Sequence, residues 1–105
     1  MKRKLLPLSE TMHYILLALL EPFHGYAVMQ KIEKISNGTV ILAASTLYGA
    51  IENLNKYGWI DPVGESGRRK VYMITSEGKA ILKMEQNRLL LILSLYEGCV
   101  SNEEI

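Results

Sequence analysis

Residues 45–54 read Ser45-Thr46-Leu47-Tyr48-Gly49-Ala50-Ile51-Glu52-Asn53-Leu54 and form the clearest amphipathic segment of the chain. Leu47, Ile51 and Leu54 recur at intervals of four and three residues, which is the spacing of one buried helix face. This pattern predicts a helix over 44–56 that Gly58 terminates. Its other face is predicted to carry small or polar side chains, with Tyr48 at the edge: Thr46, Gly49, Ala50 and Asn53. A helix of this kind can approach a DNA groove closely.

A compact cationic cluster, Arg68-Arg69-Lys70, begins fifteen residues after Asn53. It lies in a region whose composition predicts a strand over 59–63, a loop over 64–67 and a second strand over 70–74. A recognition helix followed by a basic β-hairpin is the arrangement of a winged helix-turn-helix, in which the helix reads a groove and the hairpin, or wing, contacts phosphates. The sequence therefore predicts a mainly α fold with a small β-wing, and double-stranded DNA as a partner.

Two further helices are predicted before the recognition helix. The first spans 9–20, with Ser9 as its N-cap. The second spans 26–35 and stops at Gly38, which suits a left-handed closing position. Their inward positions follow a helical period: Met12, Ile15, Leu16 and Leu19 in the first helix, and Val28, Ile32 and Ile35 in the second. The β-branched run 39–42 is expected to form a short strand.

The last predicted helix spans 76–96, with Thr75 as its cap and Gly98 past its end. Its second half is apolar around nearly its whole circumference, through Leu89, Leu90, Leu91, Ile92, Leu93, Leu95 and Tyr96. A small three-helix domain cannot cover all of these faces, and an exposed apolar patch of this kind marks an interface. We therefore expect a two-fold homodimer in which this helix packs on its mate and on the first helix.

The predicted elements divide the chain into four segments. They are a basic N-terminal arm at 1–8, a winged helix-turn-helix DNA-binding domain at 9–75, a dimerisation helix at 76–98 and a tail at 99–105. Hydrophobic residues make up 49% of the chain and charged residues 22%, which argues against disorder. The net charge is only +1, but basic residues gather in the wing and in the arm, which carries Lys2, Arg3 and Lys4 without an acidic residue. Scattered surface charge is the alternative explanation of either cluster alone.

Cys99 is the only cysteine, so the chain can form neither an intramolecular disulfide nor a cysteine-rich metal site. The apolar runs 15–20 and 89–93 are far shorter than the roughly 20 residues of a membrane helix. A free thiol and the lack of a signal peptide predict a cytoplasmic protein that is not associated with a membrane.

The sequence contains no pattern typical of an enzyme. His13 and His24 are eleven residues apart, and no acid–base pair, glycine-rich phosphate loop or metal-ligand spacing accompanies them. We therefore expect neither enzymatic activity nor a cofactor. The competing hypothesis is a winged helix that docks onto other proteins and does not bind DNA specifically.

Several motifs occur in an order that resembles the PadR family of bacterial winged-helix regulators. They are Gly25-Tyr26, Ser36-x-Gly38, Ser45-Thr46-Leu47-Tyr48, Tyr57-Gly58-Trp59-Ile60, Gly67-Arg68-Arg69-Lys70, Tyr72 and Thr75-x-x-Gly78. The resemblance covers about 8–97, and the single C-terminal helix is similar to that of the family's small subfamily. The resemblance implies dimers that bind palindromic operators and usually repress a neighbouring gene. It also implies, as in some members, a small aromatic or drug-like effector that lowers DNA affinity.

Two features depart from the family pattern. Ala43 and Ala44 occupy the start of the third helix, where the family often has a polar cap whose loss costs about 1 kcal/mol. Members that bind flat drugs in a central pore often stack them on a tryptophan of the last helix, and the matching residue here is Leu89. The only tryptophan, Trp59, precedes the wing, which argues against drug binding by ring stacking.

The candidate DNA-binding residues are Ser45, Thr46, Tyr48, Gly49 and Asn53 on the third helix and Arg68, Arg69 and Lys70 on the wing. Ser45 and Thr46 lie near the positive end of the helix and suit a phosphate. Asn53 can read adenine through two hydrogen bonds. An ordinary solvent-exposed helix face is the alternative.

The candidate seam between the first helix and the partner's last helix consists of His13, Tyr14, Leu17, Leu89 and Leu93. The family's effector pocket, where known, lies at this seam, so the resemblance implies an effector site there. A packed dimer core without a ligand is equally consistent with these residues.

Overall fold

The computed structural model describes residues 6–99 and places them in four helices and three strands. In chain order these are α1 (Glu10–Ala18), β1 (Phe23–His24), α2 (Gly25–Ile35), α3 (Ala44–Lys56), β2 (Ile60–Ser66), β3 (Arg69–Ile74) and α4 (Ser76–Cys99). The fold is mainly helical with one small antiparallel sheet, as predicted. Lys2, Arg3 and Lys4 of the predicted arm, and residues 100–105 of the predicted tail, lie outside the described residues.

The predicted helix starts agree with the hydrogen bonds of the first turns. Ser9 Oγ accepts from the Met12 N–H at 3.1 Å, and Thr75 Oγ1 accepts from the Gly78 N–H at 3.0 Å. Both side chains therefore cap their helices as predicted. Ala43 stands at the start of α3 and supplies no side-chain cap, which the sequence also predicted.

A two-residue strand, β1, stands directly before α2 and was not predicted. Phe23 pairs with Tyr72 and His24 with Val71 of β3, so the sheet has the order β1-β3-β2. His24 also caps α2, because its Nδ1 accepts from the Ala27 N–H at 3.3 Å. This pairing fixes the first turn of α2 beside the hairpin.

The predicted strand over 39–42 is wrong, since these residues form an irregular connection between α2 and α3. Polar groups of this run form hydrogen bonds to Ser36, the residue that follows α2. Thr39 Oγ1 donates to the Ser36 carbonyl at 2.7 Å, and the Val40 N–H donates to Ser36 Oγ at 3.0 Å. The left-handed conformation predicted at Gly38 (φ 77°) is present there and also at the preceding Asn37 (φ 55°), and the Gly38 N–H donates to the Glu33 carbonyl at 2.8 Å to close α2. Local hydrogen bonds therefore override the β-propensity of this run.

The hairpin has a tighter turn than predicted. β2 and β3 pair until Ser66 lies opposite Arg69, so the two residues Gly67 and Arg68 replace the predicted four-residue loop. Gly67 has a φ of 67°, and a glycine with positive φ at the first position is typical of the two-residue turns that suit a twisted hairpin. The register shifts around Val63, which leaves one extra residue in β2 and bends the strand.

The sequence predicts that Gly58 and Gly98 each lie just past the end of a helix, and only Gly58 does. Gly58, with a φ of 80°, ends α3 as predicted. Gly98 does not end α4, which continues to Cys99, so the predicted boundary is wrong. Gly98 lacks the positive φ that a closing glycine adopts, and it is therefore an ordinary helical residue.

The core lies between α1, α2, α3, the sheet and the first half of α4. Its fully or nearly fully buried side chains include Ile15, Leu16, Leu19, Val28, Ile32, Leu47, Ile51, Leu54, Trp59, Ile60, Ile74 and Ile81. Two predictions about the core are wrong. Ile35 is exposed, because it is the last residue of α2 and the helix end leaves it at the surface. Ala50 is buried, because it lies three residues after Leu47 and four before Leu54 on the same helical stripe.

The first turn of α4 approaches Trp59 closely at Gly78. A Cβ at Gly78 would overlap the carbonyl oxygen of Trp59 and the Cγ1 atom of Ile74. Thr75 secures the same junction, since its hydroxyl donates to the Gly58 carbonyl at 2.7 Å. Only glycine at position 78 allows this spacing between α4 and the chain that leads into the sheet.

A buried carboxylate joins the chain before α1 to α4. Glu85 is 1% exposed, and its Oε1 accepts from the Leu8 N–H at 2.8 Å. Arg88 donates to both carboxylate oxygens at 2.8 and 3.0 Å, and His13 Nδ1 lies 4.0 Å from Oε1. The hydrogen bonds from Arg88 hold the pKa of Glu85 below its usual value. This stabilisation is present above the ordinary pKa of a glutamate and is lost as the pH falls through the lowered value.

Candidate nucleic-acid interface

α3 presents its predicted recognition face to solvent. The exposed residues are Ser45, Thr46, Tyr48, Gly49 and Asn53, and the buried stripe that anchors the helix is Leu47, Ala50, Ile51 and Leu54. A Cβ added at Gly49 would meet no atom within 4 Å, so another surface can approach the middle of the helix closely. Ala43 supplies no capping acceptor to the N–H groups of the first turn, which leaves them suited to an external acceptor such as a phosphate.

Tyr48 connects α3 to the first turn of α2. A Cβ at Gly25 would lie 2.5 Å from Cε1 of Tyr48 and 2.7 Å from its hydroxyl oxygen, so the ring lies directly on the Gly25 backbone. Half of the Tyr48 surface nevertheless remains exposed. The ring therefore belongs both to the exposed face of α3 and to the contact between the two helices.

The three cations at the hairpin tip are all exposed but are not equivalent. Arg68 belongs to the turn, whereas Arg69 and Lys70 begin β3. Successive residues of a strand point to opposite faces, so the Arg69 and Lys70 side chains leave the hairpin on opposite sides. Lys70 lies opposite Glu65 in the register, and Arg69 lies opposite the uncharged Ser66. Lys70 therefore has an acidic cross-strand neighbour, whereas Arg69 does not.

Arg69 contacts an aromatic ring that the sequence pattern did not indicate as a site residue. Its Cζ atom lies 5.9 Å from the centre of the Tyr26 ring, within the roughly 6 Å range of a cation–π contact. β1 brings α2 beside β3, because its last residue, His24, pairs with Val71 and is followed at once by the first turn of α2. A strand of two residues has no periodicity, so the sequence carried no signal for this pairing.

The wing and α3 meet at the first turn of α2. Tyr48 of α3 packs on Gly25, and Arg69 of the wing packs on the next residue, Tyr26. The predicted DNA-binding residues of the helix and of the hairpin therefore lie on elements that both contact the first turn of α2.

The five predicted seam residues line two grooves between α1 and α4 of the same chain. A groove of about 460 Å³ is lined in part by His13, Leu17, Leu89 and Leu93. A groove of about 500 Å³ is lined in part by His13, Tyr14, Leu17 and Leu89, and Arg88 lies at its wall. His13, Leu17 and Leu89 border both grooves, and the predicted seam with a partner's last helix stays a prediction.

The second half of α4 carries an uncovered apolar surface. Leu90, Leu91 and Leu93 are 57%, 63% and 62% exposed, and Leu89, Ile92, Leu95 and Tyr96 are exposed as well. The described part of the chain is elongated, with extents of 53 × 32 × 21 Å. An exposed apolar patch of this kind is typical of an interaction surface.

No helix within residues 6–99 is long and apolar enough to cross a membrane. In the same part of the chain, no three His, Cys, Asp or Glu side chains are grouped so that they could hold a metal ion. Trp59 is fully buried in the core, so its ring is not available for stacking on a ligand.

Residues 15–84 match the PadR-like family of transcriptional regulators. Two curated relatives have similar sequences. An uncharacterised 37.1 kDa protein in a transposon of Streptomyces fradiae is 31% identical over 83 residues, which are 78% of this chain and 24% of the relative. An uncharacterised protein of Lysinibacillus sphaericus is 36% identical over 63 residues, which are 56% of this chain and 58% of the relative. The chain thus spans about a quarter and somewhat over half of the lengths of these relatives.

Solved structures of transcriptional regulators have a similar fold. A regulator from Clostridium thermocellum is 26% identical and has a TM-score of 0.71, with 87% of this chain and 89% of the other covered. A PadR family regulator from Eggerthella lenta is 22% identical and has a TM-score of 0.72, with 96% and 86% covered. A PadR family regulator from Clostridium difficile is 18% identical and has a TM-score of 0.68, with 86% and 98% covered. The likeness extends over nearly the whole chain and confirms the winged-helix fold.

The family match covers more than half of the chain and confirms the resemblance that the order of motifs indicated. The matched family is one of transcriptional regulators. On the strength of this match and of the winged-helix fold, the chain belongs to the PadR-like family of transcriptional regulators.

Proposed function

We propose that the chain is a homodimeric, sequence-specific DNA-binding regulator that recognises a palindromic operator and acts as a repressor. One observation carries this proposal: the exposed face of α3 and the basic wing meet at the first turn of α2, through the Tyr48–Gly25 and Arg69–Tyr26 contacts. A helix and a hairpin held in this way can engage a groove and the adjacent phosphates with little rearrangement, which lowers the entropic cost of binding.

In the proposed complex, α3 lies in the major groove. Gly49 permits close approach, and Asn53 forms two hydrogen bonds with adenine. Ser45 and Thr46 contact a phosphate at the positive end of the helix. Arg68, Arg69 and Lys70 grip phosphates or the minor groove, which adds affinity without reading the sequence.

The uncovered half of α4 is proposed to join two copies of the chain. A two-fold interface brings the same apolar patch of each copy together and covers the exposed leucines. The two copies of α3 would then enter successive major grooves about 34 Å apart, which is one turn of DNA. A palindromic operator follows from this symmetry.

Nuclease footprinting of the DNA upstream of the protein's own coding sequence tests the proposal. Two protected half-sites, about 10 base pairs apart centre to centre, are expected. The competing hypothesis, a winged helix that docks onto proteins, predicts no affinity above background for this DNA even at low salt. Absence of protection together with background affinity would therefore reject DNA binding as the function.

Asn53→Ala is expected to reduce sequence discrimination more than overall affinity. Loss of a two-hydrogen-bond contact to a base costs about 1–3 kcal/mol of discrimination, which corresponds to roughly a 5- to 150-fold smaller ratio between operator and scrambled DNA. Asn55→Ala is the matched control, because Asn55 is also exposed on α3 but lies around the helix from Asn53. An unchanged ratio in Asn53→Ala, measured by fluorescence anisotropy, would remove Asn53 from the base-reading set.

Arg69→Ala is expected to weaken binding to operator and scrambled DNA by a similar factor. Loss of one phosphate contact should also reduce the slope of log affinity against log salt by about 1. Lys34→Ala removes an exposed positive charge from the last turn of α2, at the other end of that helix from Tyr26, and serves as the control. A wild-type salt slope in Arg69→Ala would exclude a phosphate contact by this residue.

The two grooves along the seam are proposed to admit a small aromatic effector that releases the operator. His13, Tyr14, Leu17, Leu89 and Leu93 supply apolar walls with an imidazole and a phenol as polar partners. Calorimetric titration with a panel of planar aromatic compounds is expected to give heat of binding, and the same compounds are expected to lower operator affinity. Absence of both effects would favour a packed dimer core without a ligand.

A further inference from the structure

We propose that Tyr26 is a positioning residue of the DNA-binding surface: its ring holds Arg69 against the first turn of α2, so that the wing and α3 meet a duplex at a fixed spacing. This inference rests on the proposed function. It adds a residue of α2 to a surface that the sequence assigned only to the recognition helix and the hairpin.

The backbone brings the two side chains together. The pairing of His24 with Val71 places the first turn of α2, which begins at the next residue, beside β3. Arg69 Cζ then lies 5.9 Å from the centre of the Tyr26 ring. The contact therefore joins two elements that the sheet places side by side.

The Tyr26 side chain is not part of the buried core. Its side chain is 52% exposed, whereas Val28 and Ile32 supply the buried face of α2. A tyrosine that served only to fill the interior would be buried. The exposed ring has Arg69 as its charged neighbour, and the adjacent Gly25 is covered by the ring of Tyr48. Residues 25 and 26 thus hold one side chain from α3 and one from the wing.

An Arg69 side chain that is already ordered loses less conformational entropy on binding a phosphate than a mobile one. An arginine has many rotamers, and ordering it only on binding costs entropy. Three consecutive cations also repel one another, which favours side chains that spread away from the tip. A guanidinium that lies over an aromatic ring retains the N–H donors along its own plane for an anion. The ring therefore orders Arg69 without occupying the groups that would grip the backbone of DNA.

A double-mutant cycle on the full chain tests the proposal, with affinity for the footprinted operator as the readout. Tyr26→Leu removes the ring and is expected to weaken binding by about two- to fivefold, the factor that corresponds to an exposed cation–π contact. In the Arg69→Ala background the same change should have no further effect. The matched control pairs Tyr26→Leu with Arg68→Ala, for which the two losses should multiply, because Arg68 is in the turn and not over the ring. Tyr26→Phe keeps the ring and should retain the coupling to Arg69.

Side-chain NMR of the free protein provides a second measurement that does not depend on DNA. The Nε–Hε group of Arg69 is expected to be ordered in wild type and in Tyr26→Phe, and mobile in Tyr26→Leu. Multiplicative losses in the Tyr26–Arg69 cycle, equal losses in Tyr26→Phe and Tyr26→Leu, or an Arg69 side chain that is already mobile in wild type would each overturn the inference. Failure of the wild-type protein to bind the operator would instead reject the proposed function, and the NMR result would still decide whether Tyr26 holds Arg69.

Discussion

The Gly78→Ala substitution is expected to lower the free energy of unfolding by about 3 kcal/mol or more, with a fall of roughly 12 °C or more in the thermal midpoint. The added Cβ would overlap the carbonyl oxygen of Trp59, which already accepts from the Thr75 N–H at 3.0 Å. Because that carbonyl is backbone and is hydrogen-bonded, it cannot move aside cheaply. α4 would have to shift away from the sheet, which circular dichroism during heating would detect as an early transition.

Gly98→Ala is the matched control for this prediction. Gly98 lies in the same helix, and a Cβ there would meet no atom within 4 Å. Alanine is favoured over glycine in a helix by up to about 1 kcal/mol, so Gly98→Ala should leave the midpoint unchanged or raise it slightly. A Gly78→Ala protein that melts with the wild type would refute the close packing of α4 on Trp59.

Replacing both Leu90 and Leu93 by glutamate is expected to produce a folded monomer that binds the operator about 100-fold more weakly or worse. The two leucines are 57% and 62% exposed within one chain, so the domain itself loses little when they become charged. A dimer interface would instead have to bury four carboxylates, whose desolvation is not compensated by a partner. With the dimer lost, the two half-sites of the operator are no longer bound by one linked unit.

Sedimentation of the double variant should give the mass of one chain at micromolar concentration, with the helical circular dichroism retained. Ile41→Glu is the control, because Ile41 is 72% exposed but lies in the connection between α2 and α3 rather than on α4. It should leave the oligomeric state unchanged. A dimeric Leu90→Glu/Leu93→Glu protein with wild-type operator affinity would show that α4 does not join the subunits.

The elements that were predicted correctly depend on residues within a few positions of one another in the chain. The bounds of α3, Ala44–Lys56, agree with the prediction because an apolar stripe and a closing glycine act within one or two helical turns. The caps at Ser9 and Thr75 are equally local. The five candidate residues on the outer face of α3 are exposed for the same reason, since helical periodicity alone separates the two faces.

The features that could not be predicted from the sequence depend on contacts between elements that are distant in the chain. β1 is too short to have a pattern and exists only because β3 lies beside it. The contact between Arg69 and Tyr26 follows from that pairing, and the burial of Glu85 depends on the packing of α1 and of Leu8 against α4. None of these partners lies within four residues of the other in the chain. The error at 39–42 has the opposite origin, because hydrogen bonds to Ser36 outweighed an apparent strand preference.

The short connections around the DNA-binding elements have a mechanical consequence. His24 of β1 is followed at once by α2, and only residues 57–59 separate the end of α3 from β2. The chain therefore has little freedom to change the distance between α3 and the β2–β3 hairpin. In the proposed dimer, we therefore expect release from DNA to change the relative position of the two copies and to leave the arrangement of α3 and the hairpin within each copy unchanged.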